Sequence, residues 1–99
     1  MIIDCFDNSE SRRLFNNIKD TPILHVGFSP FYTAEIMWHG IYDVPGAVDP
    51  NAPDICEMDQ AVPFINFVVS LSSMVADNFL KSGEMKSFII TNKYTIRGL

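Results

Sequence analysis

Ile2-Ile3-Asp4-Cys5-Phe6-Asp7-Asn8 runs without a break into Ser9-Glu10-Ser11-Arg12-Arg13-Leu14-Phe15-Asn16. An apolar run that ends in carboxylates and turns at once into a helix is how open α/β sheets present ligand-binding groups, because their sites lie beyond the carboxyl ends of the strands. The stretch therefore predicts an α/β fold. It also begins inside a strand, so the expectation is the second half of such a domain, with its first half absent, occupying residues 1–99 as one partial domain.

The remaining elements follow from periodicity and punctuation. Met1 to Phe6 reads as a short buried strand and Ser9 to Ile18 as a helix, capped by Asn8 or Ser9, with Glu10 in its first turn and Leu14 and Ile18 as its apolar face. Asp20-Thr21-Pro22 ends that helix. Ile23 to Phe28 is apolar on both faces, as a covered parallel strand should be. Ser29-Pro30 interrupts it, and Thr33 to Trp38 resumes in extended form before Gly40. Tyr42 to Asp59 holds three prolines and four aspartates without a periodic apolar pattern, which marks a long loop of the kind that covers a site or binds a partner. Pro63 opens a helix through Leu80 that stops at Gly83, nearly apolar all round as far as Leu71 and so expected to be buried on several sides. Lys86 to Thr91 and Tyr94 to Arg97 close the chain as two strands about an Asn92-Lys93 turn. The predicted order is strand, helix, strand, strand, loop, helix, strands.

Composition narrows the function classes. A formal charge of -5 disfavours sequence-independent nucleic-acid binding. Two cysteines, Cys5 and Cys56, without a C-x-x-C pair give no support for a structural zinc site or a disulfide scaffold, and a reducing, cytoplasmic setting is expected. The acids at Asp4 and Asp7 stand where an export signal would carry basic residues. The uncharged run Ala61 to Ala76 is shorter than the ~20 residues that span a bilayer, so no membrane association is expected. His25 and His39 are isolated in sequence and read as structural, and Cys5 reads as core. Phe31, Tyr32 and Trp38 read as sheet packing or as part of an aromatic partner surface.

With those elements in place, the residues resemble the ThiF/MoeB/HesA family, the adenylating enzymes related to ubiquitin-activating enzymes. Asp4, Asp7, Asn8, Arg12 and Asn16 fall at the spacings of that family's apolar-Asp-x-x-Asp-Asn-x-x-x-Arg-x-x-x-Asn element. Pro22 to Gly27 resembles the strand that follows it, and Cys56, Pro63 and the helix through Leu80 resemble the family's cysteine and long apolar helix. The resemblance implies the second half of a Rossmann-like ThiF-type nucleotide-binding domain. The family's Gly-x-Gly-x-x-Gly turn, the acidic residue after its second strand, the arginine and lysine that contact the triphosphate and the zinc-binding C-x-x-C pairs do not occur in these residues.

What the resemblance implies is an ATP-dependent adenylyltransferase. In the family reaction the C-terminal carboxylate of a ubiquitin-like or sulfur-carrier protein attacks the α-phosphate of ATP and pyrophosphate leaves. Mg²⁺ neutralises the developing charge, and a strand-end carboxylate is the hard oxygen ligand it prefers. Asp7 matches the metal-binding position, Asn8 the neighbouring nucleotide contact, and Arg12 either another contact or a brace of the helix against neighbouring acids. Asp7 and Asn8 also read as plain helix caps, and the two roles are compatible. Cys56 matches the region where some members carry the acyl-accepting thiol. Asp54, Glu57 and Asp59 flank it and would raise its pKa, which favours an inert thiol. The partners implied are the carrier protein and a second copy or the absent half. A degenerate, non-enzymatic interaction module of the same ancestry and half of a nicotinamide-dependent dehydrogenase are the competing readings.

Overall fold

The structure is a computed structural model that describes residues 1–6, 8–29, 33–44, 57 and 59–99. Five strands form one mixed sheet: β1 (Ile2–Asp4), β2 (Ile23–Ser29), β3 (Thr33–Trp38), β4 (Phe88–Thr91) and β5 (Ile96–Gly98), in spatial order β1-β2-β3-β4-β5. β1 and β2 are parallel and are joined through helix α1 (Ser9–Arg13) and a 3-10 turn at Leu14–Asn17; all other neighbours are antiparallel. Helix α2 (Ala61–Ser82) enters between β3 and β4. This order reproduces the expected succession of elements, and the fold is a small mixed α/β domain.

One face of the sheet makes the apolar core. Leu24, Val26, Ala34, Ile36, Trp38 and Ile90 pack against Phe64, Val68, Val75 and Ala76 of α2. Leu24, Ile36, Val68 and Ile90 are completely buried, each contributing roughly 1.5–3 kcal/mol of transfer free energy. Phe28 meets Phe64 edge-on with ring centroids 6.0 Å apart, and Trp38 lies 4.8 Å from Phe79. Strand side chains alternate, so the opposite face carries Asp4, His25 and Gly27, and its β1–β2 part lies beneath α1.

Four expectations need correction. The first helix is not continuous to Ile18: five α-helical residues tighten into a 3-10 turn, and Leu14, the proposed core contact, is 65% exposed. The side chain that α1 buries is that of Arg12, whose hydrogen bonds to the sheet replace an apolar stripe. β1 is an edge strand in which Ile3 is 48% exposed, and it ends at Asp4, which leaves Cys5 exposed rather than in the core. α2 begins at Ala61 and keeps Pro63 in its first turn as expected, where a missing N–H costs nothing, but it buries one face only. Val62 and Val69 on its other face are 70% and 52% exposed.

At 22 residues, α2 is also longer than the apolar run suggested, and its length and composition would suffice to cross a membrane. Its Phe64–Val68–Val75 face is committed to the sheet. Gly83 ends it as expected, in the left-handed region at φ 75° with its N–H on the Phe79 carbonyl at 2.8 Å.

Candidate functional site

The polar face gathers residues from four parts of the chain. Asp4 stands at the end of β1, opposite His25 in the parallel register, and both are 1% exposed. Asp4 Oδ2 lies 2.6 Å from His25 Nδ1 and 3.4 Å from Arg12 Nη1, while Asp4 Oδ1 accepts the Phe6 N–H at 3.0 Å. Arg12 reaches this carboxylate from α1. It also donates from Nε to the Phe6 carbonyl and from Nη2 to the Val26 carbonyl, each at 2.8 Å, and from Nη1 to the Tyr42 hydroxyl at 3.1 Å.

Glycine at position 27 makes this approach feasible. A Cβ there would stand 2.8 Å from Arg12 Nη2, nearer than real Cβ contacts come. The buried cation is thus paired with a carboxylate and held by four hydrogen bonds, which offsets the cost of removing both charges from water.

Phe6 is consequently fixed at both its backbone groups, by Asp4 at the N–H and by Arg12 at the carbonyl. On the far side of position 7, Asn8 is the helix cap: its backbone is extended at φ -136° and ψ 151°, and its Oδ1 accepts the Ser11 N–H at 2.7 Å. Asp7, the residue assigned to Mg²⁺, and Cys56, the candidate acyl acceptor, lie outside the described residues, as do Phe31, Tyr32 and most of the loop after Val44. Arg12 is described and is 7% exposed, with its guanidinium turned into the sheet.

His25 and His39, isolated in sequence, meet in the fold. His25 pairs with Met37 across the antiparallel β2–β3 ladder, so the residue two beyond Met37 lies diagonally beside it on the same face. The ladder continues through a bond from His39 N–H to the Ile23 carbonyl at 2.8 Å, and His25 Nε2 lies 2.9 Å from His39 Nδ1. Gly40, at φ 110°, then turns the chain so that Tyr42 folds back over His25, stacked at 4.1 Å and 16°. Phe15 closes the other side edge-on at 6.1 Å.

Burial dominates the electrostatics. It pushes the His25 pKa below its ordinary value, against the Asp4 hydrogen bond and charge, which pull upward, and with His39 and Arg12 adding to the fall. Burial likewise raises the Tyr42 phenol. Cys5 is raised first by burial and then by the Asp4 carboxylate, so its thiol is a poor nucleophile. Among the described residues no group of three or more His, Cys, Asp or Glu side chains is arranged to hold a metal ion.

Sequence reasoning placed Asp4, Asn8 and Arg12 near one another but missed His25, His39, Tyr42 and Gly27. The histidine pair follows from the antiparallel register of β2 and β3, which nothing at either histidine announces in the sequence. For Gly27 no signal separates it from an ordinary strand glycine until Arg12 is known to lie above it. Compared with family models, curated proteins and solved structures, the chain matches none.

Proposed function

We propose that residues 1–99 act as the C-terminal half of a Rossmann-like, ATP-dependent adenylyltransferase of the ThiF/MoeB/HesA kind, one that activates the C-terminus of a ubiquitin-like or sulfur-carrier protein in the cytoplasm. The observation that carries this reading is the grip on the strand-end turn. Phe6 and Asn8, the neighbours of Asp7, are each fixed by side-chain hydrogen bonds at the carboxyl end of a parallel strand, where open α/β sheets place their ligands. The order of elements supports the same reading.

The fit to a nucleotide and its metal is partial. Asp7 is the residue to hold Mg²⁺, which supplies charge neutralisation at the phosphates. Asn8 adjoins it. Arg12 serves as the brace and not as a phosphate contact, because its guanidinium is buried and held by Asp4, Phe6, Val26 and Tyr42. The five-residue α1 has little dipole of its own, so the phosphates depend on a glycine-rich turn from elsewhere. In this reading that half pairs along the open edge of β1, and alone these residues do not adenylate.

A degenerate, non-enzymatic interaction module is the second reading. It is favoured by the inward commitment of Arg12 and by the apolar edge at Ile3. ATP–pyrophosphate exchange decides between the two. The first reading predicts background exchange from the chain alone and Mg²⁺-dependent exchange once a glycine-rich half and a carrier protein are added; a folded assembly that binds the carrier without exchange supports the module.

A further inference from the structure

The register of β3, β4 and β5 lines their side chains into rows across the sheet. Glu35 stands opposite Ile89 and Ile89 opposite Arg97, so one row reads acid, apolar, base. Two residues along, Thr33 stands opposite Thr91, and the Thr91 N–H meets the Thr95 carbonyl at 3.0 Å, which makes a second row of threonines. Both rows lie on the face opposite α2, because the alternate residues Ala34, Ile36 and Ile90 are the ones in the core. Thr33, Glu35, Ile89 and Thr91 are partly exposed there, and Thr95 and Arg97 are exposed. Met37, the next side chain on this face of β3, is already buried, which confines the open surface to the two rows. Neither Glu35 nor Arg97 is ion-paired with another described residue.

We propose that this open face pairs with the same face of a second copy of the chain, about a two-fold axis that runs along β4 over Ile89 and Thr91. Rotation about that axis exchanges β3 with β5. Glu35 of each copy then faces the partner's Arg97, Ile89 meets its own equivalent, and Thr33 faces the partner's Thr95. Both charges are answered around an apolar centre, which is the complementarity that fixes register between two surfaces. An axis across the strands would instead set Glu35 against Glu35 and Arg97 against Arg97. The strands of the two sheets keep the aligned packing, within ~30°, that face-to-face sheets adopt.

Shape selects the same axis. β5 is the last strand on one side of β4, whereas β3, β2 and β1 follow on the other. α1 stands over β1 and β2 on this face, held there by Arg12. After the rotation it falls beyond the partner's β5, where the sheet has ended, and flanks that strand. The axis across the strands would crowd the two α1 helices onto the same side. Two short rows are small beside the ~800 Å² per partner of a stable interface, so a Kd on the order of 100 µM is expected. The pairing uses neither the β1 edge nor the strand-end turn, and it does not depend on the adenylation reading.

Sedimentation equilibrium at neutral pH, from about 10 µM to about 1 mM, tests this on the whole chain carrying Ile3→Lys, which removes the apolar β1 edge. A monomer–dimer equilibrium that weakens with added salt is expected. Glu35→Arg and Arg97→Glu, each added alone, bring like charges together across the axis and should raise Kd about tenfold or more. Mixed in equal amounts, the two variants should dimerise again, because one copy then carries two arginines and the other two glutamates. Circular dichroism checks that each exposed substitution leaves the fold in place. A monomer at about 1 mM, a Kd unmoved by either single change, or a mixture that stays monomeric would each overturn the proposal.

Discussion

Asp4 and Arg12, eight positions apart, hold the same residue between them: Asp4 Oδ1 accepts the Phe6 N–H at 3.0 Å while Arg12 Nε donates to the Phe6 carbonyl at 2.8 Å. The two side chains also bond each other at 3.4 Å. The turn that leaves β1 is therefore shaped by a buried ion pair, and the consequences can be measured.

Arg12→Met keeps an unbranched apolar stem but leaves the Asp4 carboxylate buried without its cation. Breaking a buried pair from one side costs about 3–5 kcal/mol, a large fraction of what a small domain has. Urea denaturation should show that loss, and hydrogen exchange at the Phe6 amide should accelerate. A loss under about 1 kcal/mol would mean that Arg12 is not the brace.

Gly27→Ala should displace the guanidinium, since the new methyl would sit 2.8 Å from Nη2. The expected cost is about 1–3 kcal/mol. Gly98→Ala is the control: its Cβ would meet Phe88 at an ordinary 3.9 Å, and stability should be nearly unchanged. Equal effects in the two variants would show that the Arg12–Gly27 approach is unimportant.

Stability should fall as the solution is acidified through the imidazole range. The folded-state pKa of His25 lies below the ordinary value, chiefly because of burial. Below about pH 6.5 the unfolded chain takes up a proton that the folded chain refuses, so the contribution is intact above that pH and is lost as pH falls toward the folded value. Urea midpoints at about pH 7.5 and about pH 5.5 test this; His25→Gln should flatten the dependence. A midpoint that rises on acidification in the parent chain would contradict the sign.

The edge of β1 leads to a fourth expectation. An apolar edge strand with one neighbour tends to recruit another strand, and Ile3 is half-exposed on it. Light scattering after size exclusion should show self-association at micromolar concentrations, and Ile3→Lys should weaken it. A well-folded monomer in the parent chain would show that this edge is not sticky.

Much of this fold was legible because the relevant signals are local. The apolar run at Ile23 gave β2 to within a residue of its end, Thr33 to Trp38 gave β3, and Gly83 gave the end of α2. Where the expectation failed, a tertiary contact had overridden a periodicity. Leu14 and Ile18 have helical spacing, yet Arg12 bonded to Asp4 and Val26 decides which side of α1 faces the sheet. The apolar surround of α2 suggested burial on several sides, but a single sheet offers one face to pack against. His25 and His39 were read one at a time, and only the antiparallel register makes them neighbours. Arg12 reads as a brace against neighbouring acids, and Asp4 is the acid it meets; its further bonds to Phe6 and Val26 were not legible.

The most direct test of the adenylation reading is Asp7→Asn in an assembly with the glycine-rich half supplied, assayed for Mg²⁺-dependent ATP–pyrophosphate exchange alongside thermal unfolding. Asparagine matches aspartate in size but lacks the charge a metal requires, and the helix cap is the separate residue Asn8. The account predicts an unchanged unfolding transition with exchange reduced by orders of magnitude. Exchange that survives the substitution, or a loss of fold that accounts for all of the lost activity, would contradict it.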